Sequence, residues 1–497
     1  MFRIKFFNCR LNIKPYYVIL FIAVFQWVLI LPKAIPSVKL PDRGIFVSIA
    51  ERLLAGDKLY VDVWENKDPI FYYMISLGRV FSPYADVVLE ILYIVIAATS
   101  LYVISRSFNF RKTTALMIGF IACPIIVTGG NYYPGYSHLP GMALVFASLA
   151  FLLRDRHFLC GQLFSFLIFT KLTTAPVLLS MIIVVLLINR NLQKIKLLFF
   201  GILTGAVISV VALLMRGEFL GYINNFRFNM TYADENLYPT WPQPIAHVLK
   251  SGNSISFSLS LLVVLILIAE YSRLRKVKFS ENQSTDWILL VITFASFIAS
   301  YIVLSLTGLW DHHNQILYIP ALLSILIFSK FAELIFQDKP NLVILVTVIL
   351  AVILGGPKPT TLLVTYSEMK QELSSLNFLS PEASAILSVT KTGKYARLGT
   401  NDDQGHAYGL RNLKLACPYF HLYPSSPIFE KAFFKKTLDC LPNADTIIIS
   451  STFSPMLNIR NVDNTPWKIF ISNVSQLLEA EYSCKKVNEV TICTKLS

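Results

Sequence analysis

Long apolar segments recur along the chain and constrain its fold more than any other feature. Each is about long enough to cross the hydrocarbon layer of a bilayer as a helix. The segments lie at residues 16–36, 86–105, 113–129, 138–153, 157–170, 174–189, 197–215, 255–271, 286–306, 315–336 and 341–356. We therefore expect a polytopic α-helical membrane protein with about eleven transmembrane helices and additional interfacial helices.

Composition and charge support this class. Hydrophobic residues make up 55% of the chain and charged residues only 15%, whereas a soluble domain carries roughly a quarter charged residues. The net charge of +14 comes from basic residues beside the apolar segments, which the positive-inside rule explains without nucleic acid. The segment 16–36 follows several basic residues and lacks a small-residue cleavage site, so we expect an uncleaved first span.

The loops between the spans predict an orientation. Basic residues accumulate on the cytoplasmic side, and they occupy alternate loops in this chain: Arg106, Arg111 and Lys112; Arg154 and Arg156; Arg190, Lys194 and Lys196; Arg273, Arg275, Lys276 and Lys278. The other side receives residues 36–85, "GGNYYPGYSHLPG", residues 216–254, "TGLWDHHNQ" and everything after about residue 357. The chemically rich segments are thus expected to face the extracytoplasmic side of the cell membrane.

The C-terminal part has a different pattern. Beyond residue 357 the apolar runs shorten to "TIIIS", "WKIFIS" and "VTICT" and alternate with amphipathic stretches. This predicts a small extracytoplasmic α/β domain over residues 357–497, following a transmembrane domain over residues 1–356 that includes the external loop 36–85.

Four cysteines lie in the C-terminal part. In "CKKVNEVTIC", a two-residue turn at Asn488 and Glu489 would place Cys484 opposite Cys493 on an antiparallel hairpin, close enough for a disulfide. Cys417 and Cys440 would form the remaining pair, as in an oxidising compartment. Four free thiols are the alternative.

The stretch "LPDRGIFVSIAERLLAGDKLYVDVWENKDP" at residues 40–69 is too polar to cross a bilayer. The spacing of Ile45, Ile49 and Leu53 predicts an amphipathic helix on the outer membrane surface, ended by Gly56. Asp42 stands at the expected N-cap, and capping by itself explains an Asp there, with a stabilisation of about 1 kcal/mol. A second interfacial helix is predicted to begin near Pro69.

This stretch resembles the first external loop of the membrane glycosyltransferases that use polyprenyl-phosphate sugars, the C superfamily of protein O-mannosyltransferases and the lipid A aminoarabinose transferase. The matching residues are Asp42; Gly56, Leu59 and Tyr60; and Lys67, Pro69, Tyr72 and Tyr73. Arg43, where many members have a second acid, and Asp68, in place of a proline, depart from the pattern. At the level of architecture, the resemblance covers most of the chain.

The resemblance implies an inverting transfer of a sugar from a polyprenyl-phosphate donor to an acceptor hydroxyl on a protein, lipid or glycan. Such a transfer needs a base for the acceptor proton and positive charge for the departing phosphate. Asp42 is the candidate base. Lys67 is the candidate phosphate contact, and Tyr60 and Tyr72 are further candidate contacts to the donor phosphate or sugar. A lysine that snorkels to the interface is the alternative for Lys67. Asp62, Glu65 and Asp68 are expected to be solvated loop charges.

Three further places carry candidate donor contacts. In "GLWDHHNQILYIP", the residues Asp311, His312 and His313 can form a loop that contacts phosphate or sugar, a divalent metal site, or ordinary interfacial polar positions. Lys171 in "FTKLTTAPV" can contact the lipid phosphate or snorkel to the surface. "NYYPGYSHLPG" has the composition of a cavity-lining turn or of an aromatic belt. A divalent cation is the one cofactor left open, and no metal ligands are assigned.

Three other classes compete with a glycosyltransferase. A transporter would concentrate its charges near the middle of the membrane, whereas the acids of this chain lie in external loops. A polysaccharide polymerase or ligase would carry its decisive residues in one large late loop. A non-catalytic subunit would need no such set of residues. Both hexosyl and pentosyl transfer are compatible with the sequence.

Overall fold

The computed structural model describes residues 2–6, 9–13, 25, 41–81, 85–128, 135–235, 283–306, 311–336, 339–355, 367, 370, 388, 393–399, 412–419, 433–450, 453, 466–487 and 490–496. The described part is mostly helical and carries a small sheet near its C-terminal end. This confirms the expected combination of a helical membrane protein with a C-terminal α/β region.

Helices and strands are numbered in chain order. The helices are α1 (Pro41–Leu54), α2 (Pro69–Phe81), α3 (Ala85–Ser107), α4 (Lys112–Thr128), α5 (His138–Leu153), α6 (His157–Lys171), α7 (Ala175–Asn189), α8 (Leu192–Met215), α9 (Phe219–Glu235), α10 (Gln283–Leu306), α11 (Tyr318–Ile335), α12 (Pro340–Gly355), α13 (Lys435–Cys440) and α14 (Pro466–Glu481). The strands are β1 (Phe2–Phe6), β2 (Cys9–Ile13), β3 (Lys394–Leu398), β4 (Lys414–Leu415), β5 (Thr446–Ile449), β6 (Tyr482–Val487) and β7 (Val490–Lys495).

The chain divides into two compact units. The first unit comprises Met1–Ile35, Val87–Ser209 and Ala233–Lys370, and the second comprises Pro36–Asp86, Val210–Tyr232 and Gln371–Ser497. The polar stretch after the first apolar segment and the C-terminal residues therefore belong to the same unit.

The apolar helices belong mainly to the first unit. Among the described residues, five helical segments are long and apolar enough to cross a membrane: Val88–Ser107, His157–Asn189, Leu192–Met215, Trp287–Leu306 and His313–Glu333. Shorter apolar helices cover Lys112–Ile121, His138–Leu153 and Pro340–Ile349. A helix satisfies its own backbone groups in lipid, and large apolar side chains such as Leu187, Phe199 and Leu214 are exposed, as on a lipid-facing surface.

Two of the predicted spans fall outside the description. The segment 255–271 is not part of it, and of the segment 16–36 only Phe25 is described, whose ring stacks on that of Phe120 at a centroid distance of 5.0 Å. The total of about eleven spans therefore stays a prediction.

The long segment from His157 to Asn189 is interrupted at Lys171. Helices α6 and α7 are joined by a single 3-10 turn at Leu172–Thr174. Each helix has 15 residues, which at 1.5 Å per residue gives about 22 Å, less than the roughly 30 Å of a hydrocarbon core. Each of the two helices is therefore shorter than a full span.

The C-terminal sheet has the strand order β4-β3-β5-β7-β6. Strand β3 pairs in parallel with β4 and β5, whereas β7 pairs antiparallel with β5 and β6. Helix α14 packs on the sheet and contributes Phe470 and Val474 to a core that also holds Ala396 and Ile447. The alternation of short apolar runs with amphipathic stretches correctly predicted this α/β arrangement.

Both predicted disulfides are present. Cys484 faces Cys493 in the register of β6 and β7 and is bonded to it. Cys417 is bonded to Cys440. The turn residues Asn488 and Glu489, on which the predicted register depended, lie outside the described residues.

Non-reducing peptide mapping should recover Cys484 linked to Cys493 and Cys417 linked to Cys440, after free thiols are alkylated in denaturant. Cys160 is free and buried in α6, so it should carry the alkyl label and serve as the internal control. Alkylated Cys484 or Cys493 would contradict the hairpin register.

Candidate active site

Helices α1 and α2 run side by side in the same direction. The ring of Phe46 meets those of Phe71 and Tyr72 at centroid distances of 5.2 and 6.1 Å. One turn further along, the Ser76 hydroxyl donates to the Ala50 carbonyl at 3.3 Å. The N-terminal ends of the two helices therefore point the same way.

A buried ion pair joins the other ends of these helices. The Arg79 Nε donates to the Glu51 carboxylate at 2.5 Å, and both side chains are about 4% exposed. A buried charge is tolerated when it is paired and hydrogen-bonded, so this contact fixes the alignment of α1 against α2.

Asp42 lies at the N-terminal end of this pair. It is the second residue of α1, which begins at Pro41, so the prediction that Asp42 forms the N-cap is wrong. Proline is favoured at the first helical position, because its fixed φ suits the helix and its missing N–H would have no intrahelical partner. The side chain of Asp42 lies outside the description, and its role as the base stays a prediction.

The connection between α1 and α2 is a folded structure and not an open loop. Gly56, with φ +97°, ends α1, and the Arg52 Nε donates to Asp57 at 2.6 Å. The Lys58 N–H donates to the exposed Asp62 carboxylate at 2.9 Å and closes a turn. Asp62 is thus a solvated charge, as predicted, with a local structural contact.

Glu65 organises the end of the connection. Its side chain is 1% exposed, and its carboxylate accepts hydrogen bonds from the Lys67 N–H, at 2.9 Å, and from the Tyr72 hydroxyl. The prediction that Glu65 is a solvated charge is therefore wrong, because these donors replace the water that the carboxylate loses. The Glu65 carboxylate thus links Tyr72 to the backbone of Lys67.

Lys67 is held from several sides. Its carbonyl accepts from the Tyr60 hydroxyl at 2.6 Å. Its Nζ donates to Asn66 Oδ1 at 2.7 Å, lies 4.0 Å from Glu65 Oε1 and lies 5.8 Å from the centroid of the Phe46 ring. The side chain keeps 25% of its surface exposed. The ammonium is thus positioned near the N-terminal end of the two helices, on a side chain that is partly exposed.

Tyr60 is itself constrained. Its φ is +64°, a left-handed conformation that few large residues adopt, and its N–H donates to the Val63 carbonyl at 2.7 Å. Burial raises the pKa of the Tyr60 phenol well above its ordinary value, and nearby Asp68 raises it further. The phenol therefore resists ionisation more than an ordinary tyrosine, and its hydroxyl donates to the Lys67 carbonyl.

Helix α9 packs against this connection. A Cβ on Gly221 would lie 2.9 Å from the Tyr60 Cβ, so glycine allows the close approach. The Asn229 amide donates to the Asn66 carbonyl at 2.7 Å, and the Asn225 amide donates to it at 3.4 Å. The beginning of the segment 216–254, predicted to be a loop, is thus helical, and residues 236–254 lie outside the description.

Glu218 is a structural residue of the site that the sequence reasoning missed. Its side chain is 0% exposed, and its carboxylate accepts from the Leu59 N–H at 3.0 Å, from Arg216 Nε at 2.9 Å and from the Tyr73 hydroxyl. In the sequence, the only feature that points to this role is an acidic residue two positions after Arg216. Its partners at Leu59 and Tyr73 are too distant in sequence to be inferred.

A second polar group lies in the first unit. The turns Leu172–Thr174 and Asp311–Leu317 both pack against α5 and α10. A Cβ on Gly141 would lie 3.0 Å from the Lys171 Cβ, and the rings of His138 and His313 are 5.6 Å apart. The structure thus brings the buried Lys171 and His138 and the half-buried His313 to the N-terminal end of α5.

Two acidic residues of the first unit, Glu90 and Glu333, have structural contacts. The Glu90 carboxylate accepts from the Gly135 N–H at 3.0 Å, and the Glu333 carboxylate accepts from the Arg111 N–H at 2.9 Å. The side chains of Asp311 and His312 are not described. Among the described side chains, no group of three or more His, Cys, Asp or Glu can hold a metal ion.

Comparison with known proteins gives structural neighbours only; no protein-family model and no curated protein matches the sequence. The oligosaccharyltransferase of Archaeoglobus fulgidus matches in a complex with Zn and sulfate, with 12% identity over 87% of this chain and 68% of that one, at a TM-score of 0.44. The same enzyme in complex with an inhibitory peptide and a dolichol-phosphate matches with 11% identity over 94% of this chain and 72% of that one, at a TM-score of 0.45. ArnT from Cupriavidus metallidurans matches with 12% identity over 97% of this chain and 98% of that one, at a TM-score of 0.47.

The TM-scores of these matches lie below 0.5, and at most about one aligned residue in eight is identical. The function proposed below therefore rests on the residues of this chain.

Replacing Glu218 by alanine should lower the thermal midpoint of the detergent-purified protein. The Leu59 N–H and the Tyr73 hydroxyl would lose their acceptor, at a cost of roughly 1 to 3 kcal/mol for each buried donor left unpaired. Glu218→Gln keeps an acceptor oxygen and should lose less. The control is Glu479→Ala, an exposed position of α14. Equal midpoints for Glu218→Ala and the control would contradict the structural role of Glu218.

Proposed function

We propose that the protein is an inverting glycosyltransferase of the cell membrane, with its active site on the extracytoplasmic side. It transfers a sugar from a polyprenyl-phosphate donor to an acceptor hydroxyl. Asp42 is the base that takes the acceptor proton, and Lys67 contacts the donor phosphate.

The observation that carries this proposal is the shared N-terminal end of α1 and α2. Asp42 is in the first turn of α1, one turn before Phe46. Lys67 lies two residues before α2 begins at Pro69, and its ammonium is 5.8 Å from the centroid of the Phe46 ring. A carboxylate-bearing residue and an ammonium group thus belong to the same end of one helix pair. The buried Glu65 and Tyr60 contacts keep Lys67 there.

The electrostatics of this end suit a phosphate. Two helix N-termini carry partial positive charge. The Lys67 ammonium adds a full charge, on a side chain that is 25% exposed and 4.0 Å from the Glu65 carboxylate. A lysine is a compact point charge that stabilises phosphate oxygens without requiring a fixed orientation. The same positive charge stabilises a leaving group that departs as a negatively charged phosphate more than it stabilises a neutral leaving group.

The reaction is a single displacement. The acceptor oxygen attacks the anomeric carbon while Asp42 takes its proton, and the bond from that carbon to the phosphate oxygen breaks. The electron pair leaves with the polyprenyl phosphate, whose negative charge Lys67 stabilises. Attack opposite the leaving group inverts the anomeric configuration.

Lys171, His312 and His313 are proposed as further contacts to the phosphate or sugar of the donor. Support comes from the first unit, where Lys171 and His313 are brought to one end of α5 beside His138. Ionisable groups are expensive at membrane depth and are retained mainly for function. Tyr60 and Tyr72 contribute to donor binding because their hydrogen bonds fix the position of Lys67, directly for Tyr60 and through Glu65 for Tyr72.

Two observations support the extracytoplasmic assignment. The basic residues lie in the loops opposite to those that carry the candidate site, and two disulfides occur in the C-terminal region, as in an oxidising compartment. The proposed donor carries a hexose or a pentose, and the acceptor is a protein, a lipid or a glycan.

Replacing Asp42 by asparagine should abolish transfer while leaving the protein folded. Asparagine is close in size but cannot take the proton, and a general base contributes about 10²- to 10⁴-fold to a rate. The measurement is transfer of radiolabelled sugar from a panel of hexosyl and pentosyl polyprenyl phosphates to a native membrane extract, with and without divalent metal.

The matched control is Asp62→Asn in the same connection. The Asp62 carboxylate accepts from the Lys58 N–H, and the asparagine side-chain oxygen retains that contact, so wild-type transfer is expected. Full activity of Asp42→Asn would remove Asp42 from the role of base.

Replacing Lys67 by methionine should raise the donor KM at least about tenfold, because the charge is lost while the length of the side chain is kept. The control is Lys58→Met, an exposed lysine of the same connection. An unchanged donor KM for Lys67→Met would show that Lys67 only snorkels to the interface.

A further inference from the structure

Trp64 anchors the Lys67 connection to the C-terminal part of the second unit. Its side chain is 8% exposed, and its backbone N–H donates to the Pro418 carbonyl at 3.0 Å. Its ring lies 4.4 Å from that of Phe433 and 5.8 Å from that of Tyr419. These residues lie more than 350 positions later in the sequence.

Further ring contacts join these residues into an aromatic cage of Trp64, Phe228, Tyr419 and Phe433. Phe228 of α9 meets the indole edge to face at 5.1 Å and also contacts Phe433 at 5.3 Å. Tyr419 and Phe433 contact each other at 4.3 Å. Aromatic pairs in such arrangements stabilise a site beyond the area they bury, by about 0.5 to 1.5 kcal/mol per pair.

A disulfide joins the two C-terminal segments that form this aromatic cage. Cys417 directly precedes Pro418 and Tyr419, and its partner Cys440 ends the short helix that follows Phe433. The bond therefore limits how far the two sides of the cage can separate. The second disulfide lies on the β6–β7 hairpin and contributes no residue to the cage.

The cage is connected to the proposed phosphate contact by a short chain of bonds. Trp64 directly precedes Glu65, whose carboxylate accepts from the Lys67 N–H. The backbone on the other side of Trp64 is also held, because the Val63 carbonyl accepts from the Tyr60 N–H, and the Tyr60 hydroxyl donates to Lys67. Displacement of Trp64 would therefore displace the groups that orient Lys67.

We propose that Trp64 is a positioning residue for donor binding, through which the disulfide-closed C-terminal cage sets the location of the Lys67 ammonium. The expected effect of Trp64 on sugar transfer rests on the proposed function. The geometric part, that the cage orders the connection between α1 and α2, stands independently of the reaction.

The kinetic test is a double-mutant cycle of Trp64→Ala and Lys67→Met. In the wild-type background, Trp64→Ala should lower kcat/KM for the donor between about ten- and a hundredfold, the scale expected for a misplaced binding group. In the Lys67→Met background it should lower kcat/KM less than about twofold, because the group it positions is gone. Trp64→Phe, which keeps an aromatic ring, should restore most of the activity.

The structural test is hydrogen exchange of peptides that span residues 58–68. The double variant Cys417→Ser, Cys440→Ser should speed exchange there, as should Trp64→Ala. The matched control, Cys484→Ser with Cys493→Ser, removes the other disulfide and should leave this exchange unchanged, although exchange in the β6–β7 hairpin rises.

Equal losses of kcat/KM in both backgrounds would overturn the positioning role, since Trp64 would then act as a general packing residue. Unchanged exchange of residues 58–68 in both Trp64→Ala and the Cys417–Cys440 double variant would overturn the anchoring itself. If the wild type transfers no sugar from any donor, the proposed function fails. The exchange experiment alone then decides whether the cage orders the connection.

Discussion

A carboxylate that is removed from water must be matched by donors or charges, and the connection between α1 and α2 is built around two such groups. Glu218 ties Leu59, Tyr73 and Arg216 together, and Glu65 ties Lys67 to Tyr72. Each carboxylate holds its donors in place. The free-energy cost of burying a carboxylate without partners is far larger than the entropy lost when the surrounding loop becomes ordered. The result is a polar segment that is ordered by its own hydrogen bonds.

This constraint explains how a single lysine can be both ordered and accessible. The backbone of Lys67 is bonded to Tyr60 and Glu65, and its ammonium lies near Asn66, Glu65 and the Phe46 ring, yet a quarter of its side chain is exposed. A flexible lysine would lose conformational entropy on binding a phosphate. In this connection much of that loss has already occurred on folding, which is the usual benefit of a preorganised site.

The sequence predicted the parts of the fold that local rules control. Helix α5 covers 138–153 as expected, because lipid admits only segments that satisfy their own backbone groups. The Cys484 to Cys493 pairing followed from the geometry of a two-residue hairpin turn. The burial of Glu65 and Glu218, and the convergence of Lys171 with His138 and His313 near Gly141, depend on contacts across long sequence separations. No local pattern carries that information.

The size of the connection also explains why the C-terminal region has to take part in its order. The stretch is too polar to be held by lipid and too short to bury a core of its own, so its one large aromatic residue besides Tyr60, Trp64, has to find apolar partners elsewhere. The partners come from α9 and from the disulfide-closed segment at Cys417 and Cys440. Because the indole is adjacent to Glu65, the hydrophobic contact and the buried carboxylate act on the same few residues. The apolar contact supplies the stabilisation, and the carboxylate transmits the geometry to Lys67.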